Sequence, residues 1–417
     1  MSRKLTFILT LVVLLVAFTA VQAQDPITLK FWHTYNETSP ENTMLVETLI
    51  PSFEAANPGI KVQSVPFPYN EFRQTMLTAL AGEEGPDLAR LDIIWSPEFA
   101  DLGVLANLNE VMPDFQEYAD AVFPGPLSTN GYQGSYYGLP LDTNTRVWLY
   151  GQDVYEQAGI AEAPKTMADL KAQCEKVQAL GDEYFAFSDG GTYGWAVLPW
   201  IWSFGGDLTD ADMTTATGYL NGEKTVAAYE FLKEMVDSKC FSDGMVGSGF
   251  DSGANYFTNK VGAILDGPWM FPIAEAQYPD FEIQTALMPA GDGGSISVVG
   301  GENIVVFANS VQDENRAAAA LQFLRFTQSD EYQLKMSETG QLTVKPALLE
   351  TEYYQNHPYY SIFLEQLNTA RARLPHPAWT SIEEVLTDAG QLILRGEGSA
   401  QEVLDMAAEE IDALLTE

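Results

Sequence analysis

The stretch Tyr136 to Tyr150, YYGLPLDTNTRVWLY, sets the strongest limit on how this chain can fold. It reads as a short extended segment at Tyr137 and Leu139. A turn-prone polar run follows (Asp142, Thr143, Asn144, Thr145), then a second extended segment at Val147 and Leu149. Pro140 removes one backbone donor and biases Gly138 and Leu139 away from helix. Polar residues in mid-strand make a poor core strand but a good crossing between two lobes. A chain of 417 residues is too long for one ordinary core, so two domains are expected. The expected division is residues 24–141 with 301–336 as the first lobe, and 142–300 with 337–417 as the second.

The periodicity around this crossing predicts an α/β class. Ile27 to Trp32 alternates apolar and polar residues, as a strand does. Ser39-Pro40 offers a helix cap followed by a first-turn proline. Leu45, Leu49 and Phe53 then recur every four residues, with Pro51 expected to bend the helix and Asn57-Pro58-Gly59 to stop it. Ile60, Val62 and Val65 mark a second strand. Strand, helix, strand implies a parallel sheet flanked by helices. Asp87 to Trp95 is expected to be a third strand and Phe99 to Val111 a helix. Thr166 with Asp169 reads as a capping pair for a helix that buries Leu170, Cys174 and Val177. Further helices are expected over Thr225–Asp237 and Asn315–Phe326, from Ser329 to Gly340, and from Ser381 and Ser399. Val261 to Leu265 and Phe281 to Leu287 read as strands. Ser297 to Ala308 would return to the first lobe as a strand pair or a glycine-broken strand, and Thr343 to Pro346 would cross a third time.

Arg3-Lys4, an apolar run from Leu5 to Ala20 and then Val21-Gln22-Ala23 follow the order of a secretory signal peptide, residues 1–23, with cleavage expected after Ala23. No cysteine stands at that point to carry a lipid, so a secreted, periplasmic or extracellular protein is expected. Formal net charge is −37, and without Arg3 and Lys4 it would be −39. Such an acidic chain repels phosphate backbones and anionic lipid, which disfavours nucleic-acid and membrane-surface binding. Cys174 and Cys240 could form a disulfide after export. A buried free thiol at Cys174 is the alternative.

In open parallel sheets, ligands sit beyond the carboxyl ends of the strands. That rule selects His33 to Glu37 after the first strand, Asp92 and Trp95 at the end of the third, and Asp142 and Asn144 at the crossing. In the second lobe it selects Trp200, Trp202, Trp269 and the region of Arg371, Arg373 and Trp379. Flat aromatic faces mixed with carboxylate, amide and guanidinium groups suit a sugar, whose C–H face stacks on rings and whose hydroxyls take paired hydrogen bonds. The alternative for each tryptophan is core filling. His33, His357 and His376 lack zinc spacing, and Asp207, Asp210 and Asp212 lack a calcium loop. No cofactor is expected.

The chain resembles the extracellular solute-binding proteins of bacterial ABC sugar importers, the maltose-binding-protein type. The likeness rests on FWHTYNE, FEAANPGIKV, GPDLARLDIIW, YYGLPLDTNT, LPWIWSFGG, FTNKVGAILDGPW, GGENIVVFANS, FTQSDEYQLKMSETGQLTVKPALL and PHPAWTSIEEVL, in the family's order. The resemblance implies two α/β lobes joined by three crossings, a ligand held between them, a membrane permease as partner, a monomer, and no enzymatic activity. Carried over by motif, it implies ligand contacts from Trp32, Thr34, Asn36 and Glu37, from Asp92 and Trp95, from Asn144, and from Trp200, Trp202, Trp269 and Trp379. Gly300, Gly301 and Glu302 fall at the returning hinge. The first loop has no lysine and Asn144 replaces an acidic residue, which puts maltose itself in doubt. FWH also looks like the glycerol-3-phosphate-binding branch, for which Arg371 and Arg373 would be the cationic partners. A secreted glycoside hydrolase is the more distant alternative.

Overall fold

The computed structural model describes residues 26–357 and 359–416, so the signal segment 1–23 and its cleavage after Ala23 lie outside the described residues. Among the described residues no helix is long and apolar enough to cross a membrane.

Strands β1 (Ile27–His33), β2 (Ile60–Pro66) and β3 (Leu88–Asp92) form the parallel unit that the alternation implies. A small hairpin, β4 (Gly131–Tyr132) and β5 (Ser135–Tyr136), precedes β6 (Gly138–Thr145) and β7 (Val147–Gly151). The second half supplies β8 (Phe185–Ser188), β9 (Val261–Asp266), β10 (Ile283–Ala286), β11 (Val298–Val306) and β12 (Arg371–Ala372). One sheet runs β12-β11-β3-β1-β2 with β6 laid along β11; the other runs β10-β7-β9-β8. The polar run does carry the chain from one sheet into the other. The change falls at Arg146, between β6 and β7, because Asp142 to Thr145 still pair with β11.

Arg146 fixes that change of sheet. It is buried, its guanidinium donates to the carbonyl of Trp195 at 2.9 Å and to Asp189 at 2.6 Å, and it also bonds the carbonyl of Leu265. Leu265 lies in β9, Asp189 directly follows β8, and Trp195 opens the helix Gly194–Ser203 that comes next. A buried guanidinium is tolerable only when paired and hydrogen-bonded this fully.

Several elements differ from the expectation for physical reasons. The first helix holds a π-helical turn, Leu45–Leu49, just ahead of Pro51. A proline ring clashes with the carbonyl four residues earlier, and a widened turn relieves that clash. The helix expected over 99–111 is two short ones, Ser96–Asp101 and Leu108–Val111. Gly103 turns left-handed at φ 68°, and Leu105 bridges to Phe307 instead of continuing the helix. β11 is one continuous strand through both glycines. The penultimate helix starts at Trp379, not at Ser381, whereas Ser399 caps the last helix by accepting from Glu402 N. β8 was not expected at all.

Cys174 and Cys240 are joined by a disulfide, with Cα atoms 5.4 Å apart. It ties the helix Met167–Gln178 to the strand-like segment beside β8. Closing a loop of 66 residues should stabilise the fold by about 4 kcal/mol through the unfolded chain. Cys174→Ser with Cys240→Ser is therefore expected to lower the urea midpoint without changing ligand affinity; an unchanged midpoint would contradict this.

Candidate functional site

Between the two sheets lies a cavity of about 350 Å³. Its floor is the β6–β11 ladder: Asn144 faces Gly300, Thr143 faces Gly301 and Asp142 faces Glu302. Just beyond Glu302 the register slips by one residue. Gly300 and Gly301 are needed for this floor. A Cβ on Gly300 would lie 2.2 Å from Asn144 Oδ1 and 2.5 Å from the Trp195 ring, and Gly301 holds φ 130° against the Asp142 carbonyl.

The walls come from segments that follow the carboxyl ends of strands, including the first turns of two helices. Tyr69 follows β2, Asp92 ends β3, Tyr193 and Trp195 follow β8, and Trp269 follows β9. Arg90, Gln341, Arg373 and Glu383 complete the lining.

The charged groups are held by one another. Arg90 Nη2 lies 2.6 Å from Glu302, its Nε lies 3.4 Å from Asp142, and Nη1 donates to Thr34 Oγ1 at 2.7 Å. Its guanidinium also covers the Tyr35 ring at 4.2 Å. Burial opposes the Arg90 charge, but Glu302 and its neighbours outweigh it and hold the group protonated. Burial pushes the Glu302 carboxyl well above the usual range; Arg90 pulls it back and Asp142 raises it further. On the opposite rim, Asp92 accepts from Tyr69 Oη at 2.7 Å and meets Arg373 at 3.4 Å. The Arg373 guanidinium lies 5.3 Å from the Trp195 ring. Burial also raises Glu383, with Arg373 only partly offsetting it.

Of the residues singled out from sequence, Asp92, Asn144, Trp269, Gly300, Gly301, Glu302 and Arg373 line this cavity. Asp142 and Thr34 do not line it; they hold Arg90. The remaining expectations are corrected by packing. Trp200 is fully buried between Phe187 and Phe241, with ring centroids 5.4 and 5.5 Å away. Trp202 is buried beside Asp207 and under Arg371. Trp379 is fully buried behind Gly194. Trp32 packs on Phe67, and Trp95 stacks beneath Tyr69. His33 is buried with Nε2 2.7 Å from Ser64 Oγ, and burial together with Arg90 holds it down to about 3, so it stays neutral. Asn36 caps its own turn by accepting from Thr38, and Glu37 is exposed away from the cavity. Arg371 pairs with Asp207 at 2.7 Å, outside the cavity.

Sequence reasoning missed Tyr69, Arg90, Tyr193, Trp195, Gln341 and Glu383. Phe185–Ser188 is a strand of four residues, and overlooking it hid the following turn and helix start that carry Tyr193 and Trp195. The usable signal was FAFS followed by Asp189-Gly190-Gly191, a strand ending in a turn.

The chain matches the family model of bacterial extracellular solute-binding proteins over residues 48–361. It belongs to that family. A binding protein of Brucella abortus is 27% identical over 92% of both chains. Among solved structures, a solute-binding protein of Thermotoga lettingae bound with alpha-D-tagatose is 26% identical, with a TM-score of 0.82 over 93% of this chain and 100% of that one. The GacH receptor of Streptomyces glaucescens, known unliganded and with acarbose, is 24% identical, with a TM-score of 0.83 over 94% and 100%. UgpB of Mycobacterium tuberculosis, in complex with glycerophosphocholine, is 20% identical, with a TM-score of 0.80 over 94% and 99%. The likenesses to GacH and UgpB establish the two-lobed fold. This family of ABC-transporter receptors is extracellular and binds small molecules, and its members are binding proteins, not enzymes.

The buried carboxyls near the cavity make stability depend on pH. Asp266, behind Trp269, is raised by burial from an ordinary 3.8 to about 6, with Arg146 lowering it in part. The folded protein keeps this proton where the unfolded chain has released it. Its contribution is therefore greatest below about pH 4 and is lost as pH rises toward about 6, by up to about 3 kcal/mol. Asp266→Asn is expected to flatten that part of the slope, read as urea midpoints at about pH 4 and about pH 6.5. An unchanged slope would count against the assignment.

Proposed function

We propose that this protein is the substrate-binding component of an ABC importer that captures a mono- to oligosaccharide between its lobes and delivers it to a membrane permease. The observation that carries this reading is the composition of the cavity. Tyr193, Trp195 and Trp269 offer ring faces from the second lobe, and Asp92, Asn144 and Glu302 offer planar polar groups from the first lobe and the floor. Rings on one side and two-point hydrogen-bonding groups on the other match the two faces of a pyranose. The ligands of the Thermotoga lettingae protein and of GacH, alpha-D-tagatose and acarbose, support the same class.

A glycerophosphate reading, which the glycerophosphocholine complex of UgpB would favour, meets a charge problem. Arg90 is engaged by Asp142 and Glu302, Arg373 by Asp92, and Arg371 lies outside. A phosphate entering here would face Asp92, Glu302 and Glu383, while both lining cations, Arg90 and Arg373, already have carboxylate partners and only Arg373 Nε lacks an acceptor. Such a desolvated anion would be strongly disfavoured. The lobe limits at 141/142, 300/301 and 336/337, action as a monomer, and the absence of hydrolysis belong to this proposal.

Ligand affinity here comes from ring contact and hydrogen bonds, less the cost of closing the lobes. Trp269→Ala is expected to weaken saccharide binding about tenfold or more, with an unchanged melting temperature without ligand. Calorimetric titration checks it, using the ligand found by a thermal-shift screen of common sugars and glycerophosphates. Unchanged affinity would remove Trp269 from the site. A shift with glycerophosphates alone would overturn the saccharide reading. Reducing-sugar release from bound glycosides is expected to be nil.

A further inference from the structure

The charges around the cavity do not balance. Arg90 is shared by Asp142 and Glu302, and Arg373 stands against Asp92. Glu383 has no cation of its own, and its Oε1 is buried without a hydrogen-bond partner. That oxygen sits against Gly194, where an added Cβ would lie 2.7 Å from it. Gly194 is flanked in the chain by Tyr193 and Trp195, and Glu383 lines the same cavity as both. The other buried, unpartnered acceptors of the lining point the same way. Asn144 Oδ1 and Gln341 Oε1 lack donors, and both side chains are more than nine-tenths buried. Gln341 is oriented by its own Nε2, which donates to Glu41 at 3.3 Å, so its oxygen is left to accept. Against these acceptors stands one buried unpartnered donor, Arg373 Nε.

A ligand that completes this wall brings donors and positive charge. We propose that the bound saccharide carries a protonated amino group, which pairs with Glu383 on the cavity wall it shares with Tyr193 and Trp195. This rests on the saccharide reading of the cavity and narrows it to amino-substituted sugars. An ammonium supplies up to three N–H donors where a hydroxyl supplies one. It is attracted by the faces of neighbouring aromatic rings, most strongly by indole. It also neutralises a carboxylate whose desolvation otherwise favours its protonated form. A neutral hydroxyl at the same place would leave Glu383 with only the partial compensation of Arg373 and the Gly194 amide. An acetamido group would bring one donor and no charge.

The test is isothermal titration with matched pairs at neutral pH: glucosamine against glucose, galactosamine against galactose, and chitobiose with free amines against cellobiose and against diacetylchitobiose. At least one amine is expected to bind about tenfold or more tighter than its hydroxyl partner, the scale of a desolvated charge pair with a cation–π contact. Glu383→Gln is expected to erase that preference, bringing the ratio of amine to hydroxyl affinity close to one. Glu383→Asp, which keeps the charge, is expected to retain part of it. Circular dichroism of each variant separates a folding defect from a lost contact, and the wild-type comparison stands without either variant. Neutral sugars binding as tightly as their amines would overturn the amino-group inference and leave the saccharide reading in place. No binding by any sugar, amine or neutral, would overturn both.

Discussion

The β6–β11 ladder is the element on which the rest of the structure depends. Both strands leave the first sheet close to where the second begins, and their side chains at 142–144 and 300–302 form the cavity floor. Backbone pairing keeps this floor rigid. Two glycines in succession let Trp195 and Asn144 approach it closely, at a position where any side chain would collide. The cost is a strand with reduced intrinsic stability. The offset is the dense pairing on both sides and the buried guanidinium of Arg146 just past the end of β6.

Buried charge organises the site from below. Arg90, Asp142 and Glu302 form a desolvated cluster that would be unfavourable if any member were removed alone. Because those charges satisfy one another, the polar groups left for a guest are mostly acceptors. The indole rings stand on the opposite wall, and buried tryptophans support both sides: Trp379 lies behind Gly194, and Trp95 beneath Tyr69. Tryptophans that look alike in sequence thus divide into those that meet the cavity and those that hold its walls in place.

Much of the fold was legible because its signals are local. Alternation in Ile27–Trp32, the fourfold spacing of Leu45, Leu49 and Phe53, and the Thr166–Asp169 capping pair each dictate an element without reference to the rest of the chain. Seven site positions could be read because the ends of β3, β9 and the crossing strands point toward the cleft by topology alone. The tryptophans of LPWIWSFGG misled because nearness to the end of an element says nothing about the direction of a side chain. The helix Gly194–Ser203 is apolar all round, which is the mark of a buried helix. Its one residue not buried, Trp195, is the one that reaches the cavity. Glu383 had no local signal at all. It lies one helical turn beyond Trp379, and only packing against Gly194 brings it to the wall.

The central claim is that a saccharide is held over the crossing strands, between a polar rim from the first lobe and indole rings from the second. A crystal structure with the tightest-binding sugar from the screen tests it most directly. The account predicts a sugar ring against Trp195 or Trp269, with its hydroxyls bonded to Asn144 and Asp92 above Gly300. A ligand seated elsewhere, or one that reaches the cavity and touches neither indole, would contradict it.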